Sequence, residues 1–318
     1  MDMIKKSTDS CMEMMLAVMK ICVLVSYMTI LGNLISANVR KEDPSVYSLY
    51  TKGKAPPNSI SCDIKEKKTF DTHYYNVHHI TEPNLVMYSP GKQDSKKSSV
   101  IIIPGGAYLL VSYVWEGERV AKAFNSIGVT AFVLKYRLPF DSQCINKQNQ
   151  SIVALQDVQE SIKMVREKSA EWNIDPNRIG LVGFSAGGHL ASTAAAKFQV
   201  SYIENSHNTN LRPDFQILIY PVISMQNELT HKGSQTHLLG INPSQELMDS
   251  FSIEKQIVPN TPRTFIVHGT NDHIVHVSNS LKLYEALLSK GIPVEMHLLQ
   301  DADHGITYER YDILMLNI

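Results

Sequence analysis

The sequence predicts an α/β domain built on one mostly parallel, twisted sheet with helices on both faces. Three observations predict it. Short β-branched runs alternate with longer amphipathic ones from residue 100 to residue 299. The run Val100-Ile101-Ile102-Ile103 is apolar at every position, as a strand covered by helices on both sides must be. The 318 residues leave, behind a leader, about the length of one large domain of this class. Hydrophobic residues at 43% and charged residues at 19% suffice for a large core and exclude disordered, collagen-like and multi-span membrane chains. A formal net charge of -1 with dispersed basic residues excludes the electrostatic footprint of nucleic-acid binding and suits a small neutral ligand.

At the N-terminus Lys20 precedes an uncharged, mostly apolar run, 21–37, that ends in the small residues Ser36 and Ala37. Residues 1–37 therefore read as a signal peptide, with translation expected to start downstream of Met1, and 38–318 as a single domain outside the cytoplasm. An uncleaved membrane anchor is the alternative, since about 17 apolar residues is the lower limit for spanning a bilayer. Of four cysteines only Cys62 and Cys144 lie beyond the leader, which excludes a disulfide-rich scaffold. A bridge between them is permitted and a pair of idle thiols equally so, because sequence does not place their Cα atoms.

From 38 to 98 the chain is polar, with strand-like stretches at 69–79 and 84–88 that suit an antiparallel lead-in. The alternation then predicts strands at 100–103, 130–135, 178–184, 215–219, 264–267 and 294–299. Between them it predicts helices at 116–127, 151–169, 187–197 and 277–289. From 225 to 262 the pattern weakens, as expected of loops and a small helical cap near the sheet's C-terminal edge.

The densest chemical signal is Gly183-Phe184-Ser185-Ala186-Gly187, a G-x-S-x-G pentapeptide between the strand at 178–184 and the helix at 187–197. A strand-to-helix turn this tight needs glycine on both sides of the serine, and it projects the hydroxyl into solvent over a helix N-terminus. A serine needs a base, and the base needs an orienting carboxylate, in the chain order Ser, Asp or Glu, His. The strand at 264–267 runs into a turn that delivers Asp272, and the strand at 294–299 runs into one that delivers His304. Both stand past the ends of successive parallel strands, where catalytic groups of open α/β sheets gather.

Rivals exist for each role. Asp301 and Asp303 are too near His304 in sequence to aim at one ring nitrogen and are expected to shape its loop. His268, His273 and His276 flank Asp272, yet their spacing matches no metal motif, so no metal is assigned. His189, one turn after Ser185, reads as a packed helix residue. Attack on an ester carbonyl also needs backbone donors for the oxyanion. Pro104-Gly105-Gly106-Ala107-Tyr108, after the first parallel strand, supplies Gly106 and Ala107 N–H, and Ala186 N–H completes the set.

From Leu85 to His304 the chain resembles the esterase/lipase branch of the α/β-hydrolases, and within it the bacterial acetyl-esterase and feruloyl-esterase-like (BD-FAE-like) group found beside xylan-degrading enzymes. The resemblance rests on Pro104-Gly105-Gly106-Ala107-Tyr108, on Phe132-Val133-Leu134-Lys135-Tyr136-Arg137-Leu138-Pro139, on the run from Gly183 to Ser192, and on Asp301-Ala302-Asp303-His304-Gly305. It implies an α/β-hydrolase fold, hydrolysis of acyl esters such as acetylated carbohydrate or small esters, and no cofactor. Some relatives carry a xylanase label, but no paired-carboxylate arrangement for glycoside cleavage is visible. Two departures matter. Pro104 stands where relatives often have His, and only 14 residues follow His304, where a longer helix usually closes such folds; 308–316 suits a short one. A peptidase of the prolyl-oligopeptidase type would use the same triad order, and a catalytically impaired hydrolase-fold protein is the third reading.

Overall fold

The structure is a computed structural model that describes residues 44–305 apart from 52–54, 72–73, 92–94 and 141–143. The expected leader and the expected short helix at 308–316 lie outside the described residues.

The chain enters through strand β1 (Ser45–Ser48), a hairpin of β2 (Lys67–Asp71) and β3 (Tyr74–His78), and β4 (Asn84–Tyr88). The expected strand-like stretch at 69–79 instead spans parts of both strands of this hairpin. No Gly, Pro or Asn falls between Phe70 and Tyr75 to mark a reversal, so the sequence reads as one stretch. The main sheet continues with β5 (Ser99–Ile103), β6 (Thr130–Lys135), β7 (Ile179–Phe184), β8 (Phe215–Ile219), β9 (Arg263–Gly269) and β10 (Val294–Leu299).

Among the described residues the main sheet has the order β1-β4-β6-β5-β7-β8-β9-β10. β4 pairs antiparallel with both β1 and β6, and every pairing from β6 through β5 to β10 is parallel. β5 and β7 are buried at every position, which requires cover on both faces. That cover comes from helices α1 (Arg119–Ser126), α2 (Gln150–Glu167), α3 (Ser185–Ala196) and α6 (Ser278–Ser289). Two shorter helices, α4 (Lys232–Leu239) and α5 (Gln245–Phe251), make up the expected cap. No helix among the described residues is long and apolar enough to cross a membrane.

Two helix starts differ from expectation. The predicted helix at 116–127 is preceded and partly replaced by a π-helical turn at Tyr113–Glu118, whose wider winding leaves Glu116 buried rather than on the surface. α3 begins at Ser185 itself, two residues earlier than the pattern suggested.

The lead-in is fastened to the sheet domain by polar contacts. Arg137, just past β6, is paired with Asp157 of α2 at 2.7 Å, both fully enclosed, and the Tyr50 hydroxyl donates to the same carboxylate at 2.9 Å. The Arg137 guanidinium also reaches the Ser59 hydroxyl at 3.1 Å. Nearby, Cys62 and Cys144 are joined in a disulfide, with Cα atoms 5.2 Å apart, which settles the choice the sequence left open. The bridge closes a loop spanning 82 positions, and cross-links of that span restrict the unfolded chain strongly. Replacing both cysteines by serine is expected to lower the unfolding free energy by about 2–4 kcal/mol in denaturant titrations. An unchanged midpoint would show that the bridge does not constrain the unfolded chain.

Candidate active site

The rim of the sheet collects the site. β7 ends at Phe184 and the chain turns into α3 with Ser185 at φ 50°, a left-handed conformation that a non-glycine residue holds only under strain. The turn closes because Gly187 passes close to the end of β5; a Cβ there would lie 2.1 Å from the Ile103 carbonyl oxygen. Ser185 is only 7% exposed, more enclosed than a hydroxyl expected to project into solvent, because Gly105 and the His304 ring crowd it.

Asp272 follows β9 and His304 follows β10. Adjacent parallel strands bring the two loops together, with Thr270 N–H bonded to the Leu299 carbonyl and Asn271 N–H to the Ala302 carbonyl, each at 3.0 Å. His304 Nδ1–H donates to Asp272 Oδ2 at 2.7 Å, and His304 Nε2 stands 3.1 Å from Ser185 Oγ, placed to accept its proton. The three predicted side chains thus form one hydrogen-bonded line.

Asp272 is held by four donors. Oδ1 accepts from Ile274 N–H at 2.9 Å and Val275 N–H at 2.7 Å; Oδ2 accepts from His304 and, at 3.1 Å, from His268 Nε2–H. Burial works to raise its pKa, but the bonds from His268, His304 and Val275 outweigh it and hold the carboxyl well below the usual carboxylate range. It therefore stays ionised throughout the range in which an imidazole titrates. His268 is committed on both nitrogens, since its Nε2–H also reaches the Val275 carbonyl at 2.8 Å and its Nδ1 accepts from the Ser280 hydroxyl at 2.7 Å. Sequence reasoning weighed this histidine only as a metal ligand; its part in fixing the acid was missed. Asp303 Oδ1 accepts from His273 N–H and His304 N–H at 3.0 and 2.7 Å, shaping the loop as expected. Asp301 turns the chain at φ 57°.

The proposed oxyanion donors stand opposite. Ala186 is the second residue of α3, so its N–H has no acceptor within the helix. In the loop after β5 the turn bonds run from Leu109 and Leu110 N–H to the Gly106 carbonyl, and the N–H groups of Gly106 and Ala107 take no part in them. Ala107 and Tyr108 both sit in the left-handed region, at φ 56° and 60°, which no residue pattern announces.

Three ties hold this loop. The Tyr108 hydroxyl donates to His189 Nδ1 at 2.7 Å, and His189 Nε2–H donates to the Phe251 carbonyl of α5 at 2.7 Å. Burial pushes the His189 imidazole down to about 4, against the pull of that carbonyl, so it is a neutral strut rather than a base. His237 of α4 donates through Nδ1 to the Ala107 carbonyl at 2.7 Å. The third tie is Glu116, 7% exposed, whose Oε2 accepts from Gly105 N–H at 2.6 Å. Burial raises its pKa, and the Gly105 N–H, the Tyr220 hydroxyl and the charge on His304 act against that. Neither His237 nor Glu116 stood out in the sequence, because each lies in a stretch read only for its secondary structure.

Comparison with known proteins agrees with this architecture. The BD-FAE family model matches residues 85–287. The endo-1,4-beta-xylanase B of Butyrivibrio fibrisolvens is 36% identical over 228 residues, covering 71% of this chain and 35% of that protein. The acetylxylan esterase of Xylanibacter ruminicola is 31% identical over 214 residues, covering 66% of this chain and 41% of that protein. The chain thus spans 35% and 41% of the length of these two curated relatives. Among solved structures, the acetyl ester-xyloside bifunctional hydrolase from Caldicellulosiruptor lactoaceticus aligns with a TM-score of 0.68 at 33% identity, over 83% of this chain and 89% of that one.

Proposed function

The chain belongs to the BD-FAE family of α/β-hydrolase-fold proteins, and we propose that it is a serine carboxylic-ester hydrolase that removes acetyl groups from acetylated carbohydrate or small esters. The observation that carries the proposal is the hydrogen-bonded line from Ser185 through His304 to Asp272, lying beside free backbone donors at the start of a helix. The names of the relatives support the acetyl and carbohydrate parts: one is an acetylxylan esterase and another an acetyl ester-xyloside hydrolase.

In this reading His304 Nε2 takes the Ser185 proton as Oγ bonds to the ester carbonyl carbon. The carbonyl oxygen becomes an oxyanion and is met by the N–H groups of Gly106, Ala107 and Ala186. The tetrahedral adduct collapses, the alkoxide leaves with the proton from His304, and an acyl-serine remains. Water then repeats the two steps, releasing the carboxylic acid and restoring the serine. Asp272 keeps the His304 proton on Nδ1 and stabilises the imidazolium that forms twice in the cycle. The Cys62–Cys144 bridge supports action outside the cytoplasm, where disulfides persist.

The test pairs a substrate screen with covalent labelling. Purified protein is expected to release acetate from p-nitrophenyl acetate and from acetylated xylan, and to take up one organophosphonate per chain on Ser185, located by peptide mass spectrometry. Turnover of a proline-containing peptide amide with no ester hydrolysis would favour a peptidase instead. Failure of both turnover and labelling would leave an inert binding fold.

A further inference from the structure

Beneath the serine and the imidazole lies a second buried carboxylate that the two-step chemistry does not use. Glu116 accepts with one oxygen from Gly105 N–H at 2.6 Å and with the other from the Tyr220 hydroxyl at 3.0 Å. Gly105 is the residue immediately before the proposed oxyanion donors, and it touches both partners: a Cβ added to it would lie 2.9 Å from Ser185 Cβ and 2.9 Å from Glu116 Oε2. Tyr220, fully buried just past β8, is held at φ 37°, and its ring packs on the His304 ring with centroids 4.6 Å apart. Its N–H is bonded to the Val267 carbonyl of β9 at 2.7 Å, which ties the strained residue to the strand that precedes Asp272. Among the described residues no lysine or arginine pairs with this buried carboxylate, which is costly unless its donors are kept in place, so each of these two bonds is strongly enforced.

We propose that Glu116 is a positioning residue: one carboxylate sets the oxyanion loop through Gly105 and the base through the Tyr220 ring, so that both reach the reacting serine in register. The inference rests on the esterase reading and deepens it. It also accounts for the π-helical turn at Tyr113–Glu118, since an extra residue in the turn brings Glu116 inward to the Gly105 N–H, which a regular α-turn would leave without this partner.

Glutamine in place of Glu116 keeps the volume but removes the charge that strengthens both bonds; with its oxygen kept on Gly105 N–H, its NH₂ group faces the Tyr220 hydroxyl, which has to turn from donor to acceptor. The expected result for Glu116→Gln, assayed on the full chain with p-nitrophenyl acetate, is a kcat lower by about 10–100-fold with KM within about threefold. A positional role predicts that split, because the loop and the base act on the transition state more than on the bound ester. Tyr220→Phe cuts one arm and is expected to lower kcat several-fold. The double variant is expected to lose no more than Glu116→Gln alone, since both changes interrupt one path. A Glu116→Gln protein with kcat within twofold of wild type, or with its loss confined to KM, overturns the inference. If that variant does not fold, Tyr220→Phe decides: an unchanged kcat overturns the inference and a several-fold fall at constant KM upholds it. Wild-type protein inert toward esters and phosphonate would instead overturn the reading beneath.

Discussion

Ser185→Ala is expected to abolish acetyl-ester hydrolysis, lowering kcat by about 10⁶-fold, the scale on which serine hydrolases lose their nucleophile. The expectation follows from geometry. His304 Nε2 is 3.1 Å from Ser185 Oγ, and with the hydroxyl gone no atom stands in that place to attack a carbonyl carbon. The fold should survive, since alanine keeps the Cβ that packs in the tight turn and meets the same strain at φ 50° as serine does. Steady-state assays with p-nitrophenyl acetate, alongside a thermal melt, read both halves of the prediction. Retention of a tenth or more of the activity by a well-folded variant would remove Ser185 from the mechanism.

Asp272→Asn has the next largest expected effect, about 10⁴-fold in kcat, the cost of the wrong imidazole tautomer. The carboxylate accepts from two backbone N–H groups on Oδ1 and from two imidazole N–H groups on Oδ2. An asparagine satisfies the backbone pair with its oxygen and so turns its NH₂ toward His268 and His304. His304 must then accept at Nδ1, which moves its proton to Nε2, where it points at Ser185 and cannot take a proton from it. Labelling by the organophosphonate should slow in parallel. Activity within tenfold of wild type would mean that another group orients His304, and the assignment of Asp272 would fall.

Much of the frame was legible before any coordinates. Parallel strands covered on both faces have no solvent side, so runs such as Val100 to Ile103 declare themselves by being apolar throughout, and the loops that follow them declare the site. Ser185, Asp272 and His304 could be named because each follows a strand end in the order this fold demands. What stayed hidden depends on side chains meeting across long stretches of sequence. Glu116 looked like one acidic residue near the start of an amphipathic helix; only the wider π turn buries it. Ala107 and Tyr108 give no sign that they adopt left-handed backbone, because that conformation is imposed by the His237, His189 and Gly105 contacts around them. Cys62 and Cys144 meet because the lead-in folds back along the loop after β6, a return that no local pattern encodes. The hairpin of β2 and β3 reads as one stretch because no Gly, Pro or Asn separates its two strands.

The two short cap helices do more than roof the sheet. α4 grips the Ala107 carbonyl through His237, and α5 holds the His189 ring that steadies Tyr108. The cap is therefore bolted to the loop that carries the proposed oxyanion donors Gly106 and Ala107. A foreign excursion grafted at 225–251 would cut those ties and re-seat the loop, so under the proposed mechanism a change made in the cap carries through to turnover.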